Sequence, residues 1–103
     1  MEFRSNCPLS CSLDLVGDKW SLVIIRDLLF FNKKTFKDLS NSKENIATNI
    51  LAARLKNLEL KGILTRNDLL TNKKTKHYIL TEKGKALKPV LKALSKWGDC
   101  FSN

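Results

Sequence analysis

Residues 46–81 read IATNILAARLKNLELKGILTRNDLLTNKKTKHYILT. Wound as a helix of ~100° per residue, the first part gathers Ala47, Ile50, Leu51, Leu55 and Leu58 on one side. Thr48, Asn49, Ala52 and Lys56 fall in a single arc opposite, and Ala53 is counted with them. No acidic residue lies between Asn45 and Asn57, so that arc presents nothing that repels a phosphate. Gly62 closes this helix, expected over residues 47–61. Two strand-like runs follow, residues 63–69 and 77–80, joined by the basic tip Thr71-Asn72-Lys73-Lys74-Thr75-Lys76.

Working outward, Asn32-Lys33-Lys34 reads as a turn and Thr35 as the cap of a short helix through Phe36, Asp38 and Leu39. A polar run, residues 40–45, separates it from the longer helix. Nearer the start, Cys7-Pro8 suits a helix N-terminus, because proline pre-sets φ and has no amide hydrogen to lose there. Leu9, Leu13, Val16 and Trp20 follow at helical spacing. Gly17-Asp18-Lys19 breaks that helix, and Asp18 can cap a second one over residues 19–30 whose apolar content requires burial. Thr81 caps a last helix over residues 82–100, with Leu87, Val90, Leu91, Leu94, Trp97 and Phe101 spaced by three and four and Pro89 expected to bend it.

This order predicts a mainly α fold with a small β-hairpin, a winged helix-turn-helix forming one domain over residues 1–103. Residues 35–61 make the helix-turn-helix and residues 63–81 the wing. The first and last helices, residues 1–17 and 82–103, offer more large apolar side chains than so small a core can cover, so a second copy of the chain is the expected cover. Leu9, Leu13, Val90, Leu94, Trp97 and Phe101 are the residues assigned to that homodimer interface.

The charge balance agrees with a polyanionic partner. Nineteen Lys and Arg face ten Asp and Glu, for a net charge of +9 and a pI near 9.7, which favours a polyanionic partner such as double-stranded DNA; lysines that only aid solubility are the competing reading. In a major groove, Asn49 can pair with adenine, Thr48 can touch a phosphate or a thymine methyl, and Ala52 and Ala53 permit close approach, with Lys56 alongside. Thr35, Lys37, Lys73, Lys74 and Lys76 are assigned to the DNA backbone, where each lysine can neutralise a phosphate. Two-fold pairing would set the reading helices ~34 Å apart and call for a pseudo-palindromic operator. A basic protein that coats DNA without sequence preference is the alternative. Arg54 falls on the apolar side of its helix and needs a carboxylate there, with Asp14, Asp27 or Asp38 the candidates; the other reading sends its head out to a phosphate.

The sequence has one histidine and three cysteines. No Ser-His-Asp set, phosphate-binding glycine loop or clustered metal ligands stand out, so an enzyme, a cofactor and a metal are not expected; Cys7, Cys11, His77 and Cys100 lack the spacing of a zinc site. No run is apolar enough to span a membrane and the first residues do not read as a secretion signal, so a cytoplasmic location is expected. There a disulfide framework is not expected. Cys7, at a helix N-terminus and close in sequence to Arg4, should be richer in reactive thiolate than an ordinary cysteine, which makes it a candidate redox sensor. A small structural cap is the competing reading. Cys100 is a possible oxidation partner across a dimer axis, and Cys11, one turn after Cys7, is poorly placed for disulfide geometry.

Several blocks together resemble the HxlR-type bacterial transcriptional regulators. They are Cys7-Pro8-Leu9, Leu13-Asp14-Leu15-Val16-Gly17-Asp18-Lys19-Trp20, Ile24-Ile25-Arg26-Asp27-Leu28, Phe36-Lys37-Asp38-Leu39, Leu51 with Arg54-Leu55 and Leu58-Glu59, Gly62-Ile63-Leu64, Tyr78-Ile79-Leu80-Thr81-Glu82-Lys83-Gly84 and Trp97-Gly98. The resemblance implies a homodimer joined through its N- and C-terminal helices, with the third helix in the major groove and the wing along the backbone or minor groove. It also implies sensing of electrophiles or oxidants through the cysteine before Pro8. The chain departs from the pattern where Ala47 replaces the usual serine, where Glu44 and Asn45 replace the usual proline and glycine, and in a wing without prolines.

Overall fold

A computed structural model describes residues 3–68 and 76–101. The elements are α1 (Pro8–Val16), α2 (Ser21–Phe30), α3 (Phe36–Ser40), α4 (Thr48–Leu60), β1 (Leu64–Asp68), β2 (Lys76–Leu80), α5 (Glu82–Lys85) and α6 (Lys88–Phe101). Their starts follow from local chemistry. Pro8 opens α1, and the Cys7 carbonyl accepts the first helical bond from Cys11 N at 2.9 Å. Asp18 serves α2 as expected: its Oδ1 accepts from the Trp20 and Ser21 amides, both at 3.0 Å. These bonds hold Lys19 and Trp20 in the turn, so the helix begins two residues later than its apolar run suggested. Thr35 and Asp38 form a reciprocal capping box on α3.

Leu51, Leu55 and Leu58 carry α4 into the core, where they meet Ile24 and Ile25 of α2, Leu39 of α3, and Ile63, Leu64 and Leu80 around the hairpin. Burial of each such side chain stabilises by about 1.5–3 kcal/mol, which is what holds an otherwise weakly amphipathic helix in place. β1 and β2 pair antiparallel, Leu64 opposite Leu80 and Asp68 opposite Lys76. The hairpin runs one residue further back in its second strand than expected and begins at Leu64, Ile63 instead donating its amide to the Leu58 carbonyl. Lys73 and Lys74, like the rest of the tip before Lys76, lie outside the described residues.

The last helix is broken, where a bend was expected. α5 stops at Lys85, the Ala86 and Leu87 amides turn back to the Glu82 and Gly84 carbonyls, and α6 resumes with Leu91 N on Leu87 O at 3.0 Å. Pro89 explains the place of the break: it has no amide hydrogen for the Lys85 carbonyl and its ring would collide with that oxygen in a continuous helix. Apolar positions on both sides stay in step with a helical period, which hid the interruption.

Candidate nucleic-acid interface

Thr48, Asn49, Ala52, Ala53 and Lys56 are all exposed on α4, on the side away from Leu51, Leu55 and Leu58. Ala47, expected on the buried side, is exposed. It is the residue before the helix, in extended backbone with φ −65° and ψ 142°, so the helical period does not apply to it. Its methyl cannot cap, and no side chain bonds to the first turn. The opening amides of α4, with the partial positive charge of a helix N-terminus, therefore face outward.

The turn ahead of α4 is clamped to α2 by a chain of charges. The Arg26 guanidinium makes two hydrogen bonds to Glu44, at 2.7 and 3.0 Å, and two to Asp27 Oδ1, at 3.0 and 2.7 Å. Asp27 is almost completely buried, and its second oxygen takes Lys33 Nζ at 3.0 Å. Lys33 also donates to the Asn41 carbonyl at 3.0 Å. Two segments between α2 and α4 are thereby tied to one buried carboxylate. The Arg26 bonds hold the Glu44 carboxyl down to about 2, the direct hydrogen bonds outweighing its partial desolvation.

Two departures from the family pattern fall in this turn. Glu44, where a proline is usual, is the outer end of the charge chain. Asn45, where a glycine is usual, adopts φ +55°, a left-handed conformation that asparagine tolerates better than other residues with a β-carbon.

Arg54 is paired, but with Asp18, which was not among the candidates. Arg54 Nε donates to Asp18 Oδ1 at 3.0 Å. Partial burial opposes ionisation of Asp18, but bonds from the Ser21 hydroxyl, the Trp20 and Ser21 amides and Arg54 prevail and hold its carboxyl below the ordinary aspartate range. Lys61, at the other end of α4, donates to the Leu15 and Asp14 carbonyls at 3.0 and 3.4 Å. The exposed helix is thus braced against the α1–α2 corner as well as the core. Of the expected partners, Asp27 serves Arg26 and Lys33, Asp38 caps α3, and Asp14 pairs with Arg4.

Around α3, the Thr35 hydroxyl accepts from Asp38 N at 3.1 Å, so its oxygen works as a cap, while Lys37 is exposed. Amides of Lys34 and Thr35 donate to Asp38 and keep its carboxyl below the usual range. Lys76 is exposed at the start of β2, and His77 is half-buried on that strand.

Leu9, Leu13, Val90, Leu94, Trp97 and Phe101 all stand exposed, Leu9 at 68%, Trp97 at 63% and Phe101 at 70%. Trp97 and Phe101 lie ring to ring at 5.6 Å. Leu91, on the other side of α6, is buried. Cys7 and Cys100 are exposed free thiols and Cys11 is half-buried, its Sγ 3.2 Å from the Ser5 carbonyl. The Arg4 guanidinium, expected near Cys7, is engaged by Asp14. Among the described residues no helix is long and apolar enough to cross a membrane.

A short helix and an outward-facing helix joined by a clamped turn, followed by a two-stranded hairpin, define a winged helix-turn-helix DNA-binding protein. Residues 15–103 match the family described as HxlR-like helix-turn-helix, and the chain belongs to it. It is an HTH-type transcriptional regulator, a class of DNA-binding proteins that are not enzymes. Similar proteins include the uncharacterised HTH-type transcriptional regulator YvaP of Bacillus subtilis, 34% identical over 92 residues, covering 88% of this chain and 84% of that one. The HTH-type transcriptional regulator YodB of B. subtilis is 35% identical over 96 residues, covering 92% and 85%. Its reduced form superposes with a TM-score of 0.73 at 33% identity, over 94% of this chain and 95% of that one. The redox regulator HypR in its oxidised form gives a TM-score of 0.79 at 29% identity, over 94% and 97%.

Proposed function

We propose that this chain is a homodimeric, sequence-specific transcriptional regulator of the cytoplasm whose hold on DNA is switched by modification of Cys7. The observation that carries the DNA reading is the acid-free exposed arc of α4, set by a buried leucine stripe and braced by Asp18 and Lys61. In this reading Thr48, Asn49, Ala52, Ala53 and Lys56 enter the major groove of a pseudo-palindromic operator. The uncapped first turn of α4 approaches a phosphate. Thr35, through its methyl, and Lys37 flank the groove, and Lys73, Lys74 and Lys76 of the wing add phosphate contacts. The exposed apolar row of α1 and α6 packs on the same row of a second copy, which sets two reading helices about one DNA turn apart.

The thiol part rests on the exposed Cys7 at the head of α1 and on the company it keeps. HypR is described as a redox regulator, and YodB is known in diamide-treated and quinone-bound forms. An oxidant or small electrophile is the inducer class, and Cys100 of the second copy the partner for a disulfide.

The test compares Asn49→Ala with Lys37→Gln on operator and random duplexes across a salt series. Asn49→Ala should reduce the operator-to-random ratio by about tenfold with an unchanged salt slope, whereas Lys37→Gln should weaken both duplexes alike and lower the slope by about one. Equal losses on both duplexes for both variants would instead describe a protein that coats DNA without reading it.

A further inference from the structure

A cleft of about 490 Å³ lies between the end of α2, β2 and the α5–α6 junction. Its walls include Leu28, Leu29, Ile79 and Leu80, and its charged lining is Lys33, Lys34, Lys85 and Lys88 with His77; no carboxylate lines it among the described residues. Lys34, Lys85 and Lys88 are exposed along its edge, and like charges gathered beside an apolar floor favour an anionic occupant. Lys33 has its own partners in Asp27 and Asn41. Among the described residues Lys85 reaches the exposed Glu82, at 3.8 Å, and Lys88 lies over the Phe30 ring at 5.8 Å. The space is of the size that encloses a small organic molecule.

We propose that this cleft binds a small amphipathic organic carboxylate. Its apolar part lies on Leu28, Leu29 and Ile79, and its carboxylate is held by Lys34, Lys85 and Lys88. A DNA phosphate would satisfy the lysines but leave the apolar walls facing water, and a neutral apolar molecule would leave the charges unanswered, so the lining as a whole selects a molecule with both parts. The site is separate from Cys7. Its walls come from the helix behind the clamped turn, from the base of the wing and from the α5–α6 junction. An occupant that fits one arrangement of these three better than another shifts DNA affinity by its affinity ratio for the two arrangements.

The probe is 1-naphthoate, with 1-naphthalenemethanol as the uncharged control, titrated into the full chain and followed by amide chemical shifts. Saturable naphthoate binding with a Kd below about 1 mM is expected, at least about tenfold tighter than the alcohol, with shifts centred on Leu28, Ile79, Leu80 and Lys88. The double variant Lys85→Gln/Lys88→Gln should lose about tenfold, whereas Lys92→Gln/Lys96→Gln, the same charge change further along α6, should stay within about twofold. Equal binding of acid and alcohol overturns the proposal, as do equal losses in the two double variants or shifts centred on Leu13, Leu94 and Trp97. Shifts at the cleft amides produced by a short DNA duplex, and not by naphthoate, would make it a phosphate contact and also overturn the proposal. Shift mapping on the unaltered chain decides the matter even if a variant fails to fold.

Discussion

Gly84→Ala should be among the most damaging single-methyl additions to this chain. Gly84 is buried in α5, and a β-carbon there would sit 2.3 Å from the Ile63 carbonyl oxygen and 2.8 Å from Leu80 Cδ2. A carbon and a carbonyl oxygen approach no closer than about 3.3 Å, so α5 and the residue leading into β1 must separate by roughly 1 Å. The Ile63 oxygen is not free to move: it accepts from Thr81 N at 3.0 Å, and the Thr81 hydroxyl beside it donates to the Gly62 carbonyl at 2.6 Å while receiving the Gly84 amide at 3.3 Å. Overpacking costs about 1–3 kcal/mol, and weakening two hydrogen bonds adds about 1 kcal/mol. Replacing glycine by alanine in a helix returns about 1 kcal/mol. The net expectation is a loss of about 2 kcal/mol, a large share of the roughly 5–15 kcal/mol that a domain of this size commands. Urea unfolding at fixed chain concentration measures it. Gly98→Ala is the companion, since a β-carbon there meets nothing within 4 Å, and it should gain up to about 1 kcal/mol. A Gly84→Ala variant within about 0.5 kcal/mol of the parent would refute the close approach.

Asp27→Asn removes the buried charge that Arg26 and Lys33 share, and should cost about 2 kcal/mol or more in urea unfolding, with Glu44→Gln costing under about 1 kcal/mol because that pair is solvated. The Glu44 carboxyl is held low by Arg26, so its contribution is complete above about pH 4.5 and fades as pH falls towards about 2; Glu44→Gln should flatten that part of the acid-unfolding curve, and an unchanged curve would show that the pair does not form in solution. Cys7→Ser should bind the operator as the parent does and no longer release it on treatment with diamide; release at the parent's dose would make Cys7 structural.

What could be read without coordinates was what depends on near neighbours along the chain. The exposed arc of α4 follows from the spacing of Leu51, Leu55 and Leu58, and the caps at Asp18, Thr35 and Thr81 follow from side chains that reach amides two or three residues away. The partner of Arg54 was illegible because Asp18 is 36 positions away and already had a local task. The Arg26-Asp27-Lys33-Glu44 chain escaped for the same reason: each charge reads as ordinary until α2 and the turn before α4 are brought together. Gly84 was visible only as part of a motif, and its need for a bare α-carbon lies in the Ile63 carbonyl across the fold. The break before α6 was missed because its apolar spacing continues through Pro89.

That break has a geometric consequence. α6 leaves the body of the chain after a non-helical step, and only Leu91 is fully buried along it. The core and the charge clamp fix the direction of α4 relative to α2, whereas α6 enters the core through Leu91. In the proposed pair, the packing of Leu94, Trp97 and Phe101 therefore shares in setting the angle between the two parts. In a paired regulator the distance between reading helices is then a property of the pair: exchange the partner, and the same α4 is offered to a differently spaced site.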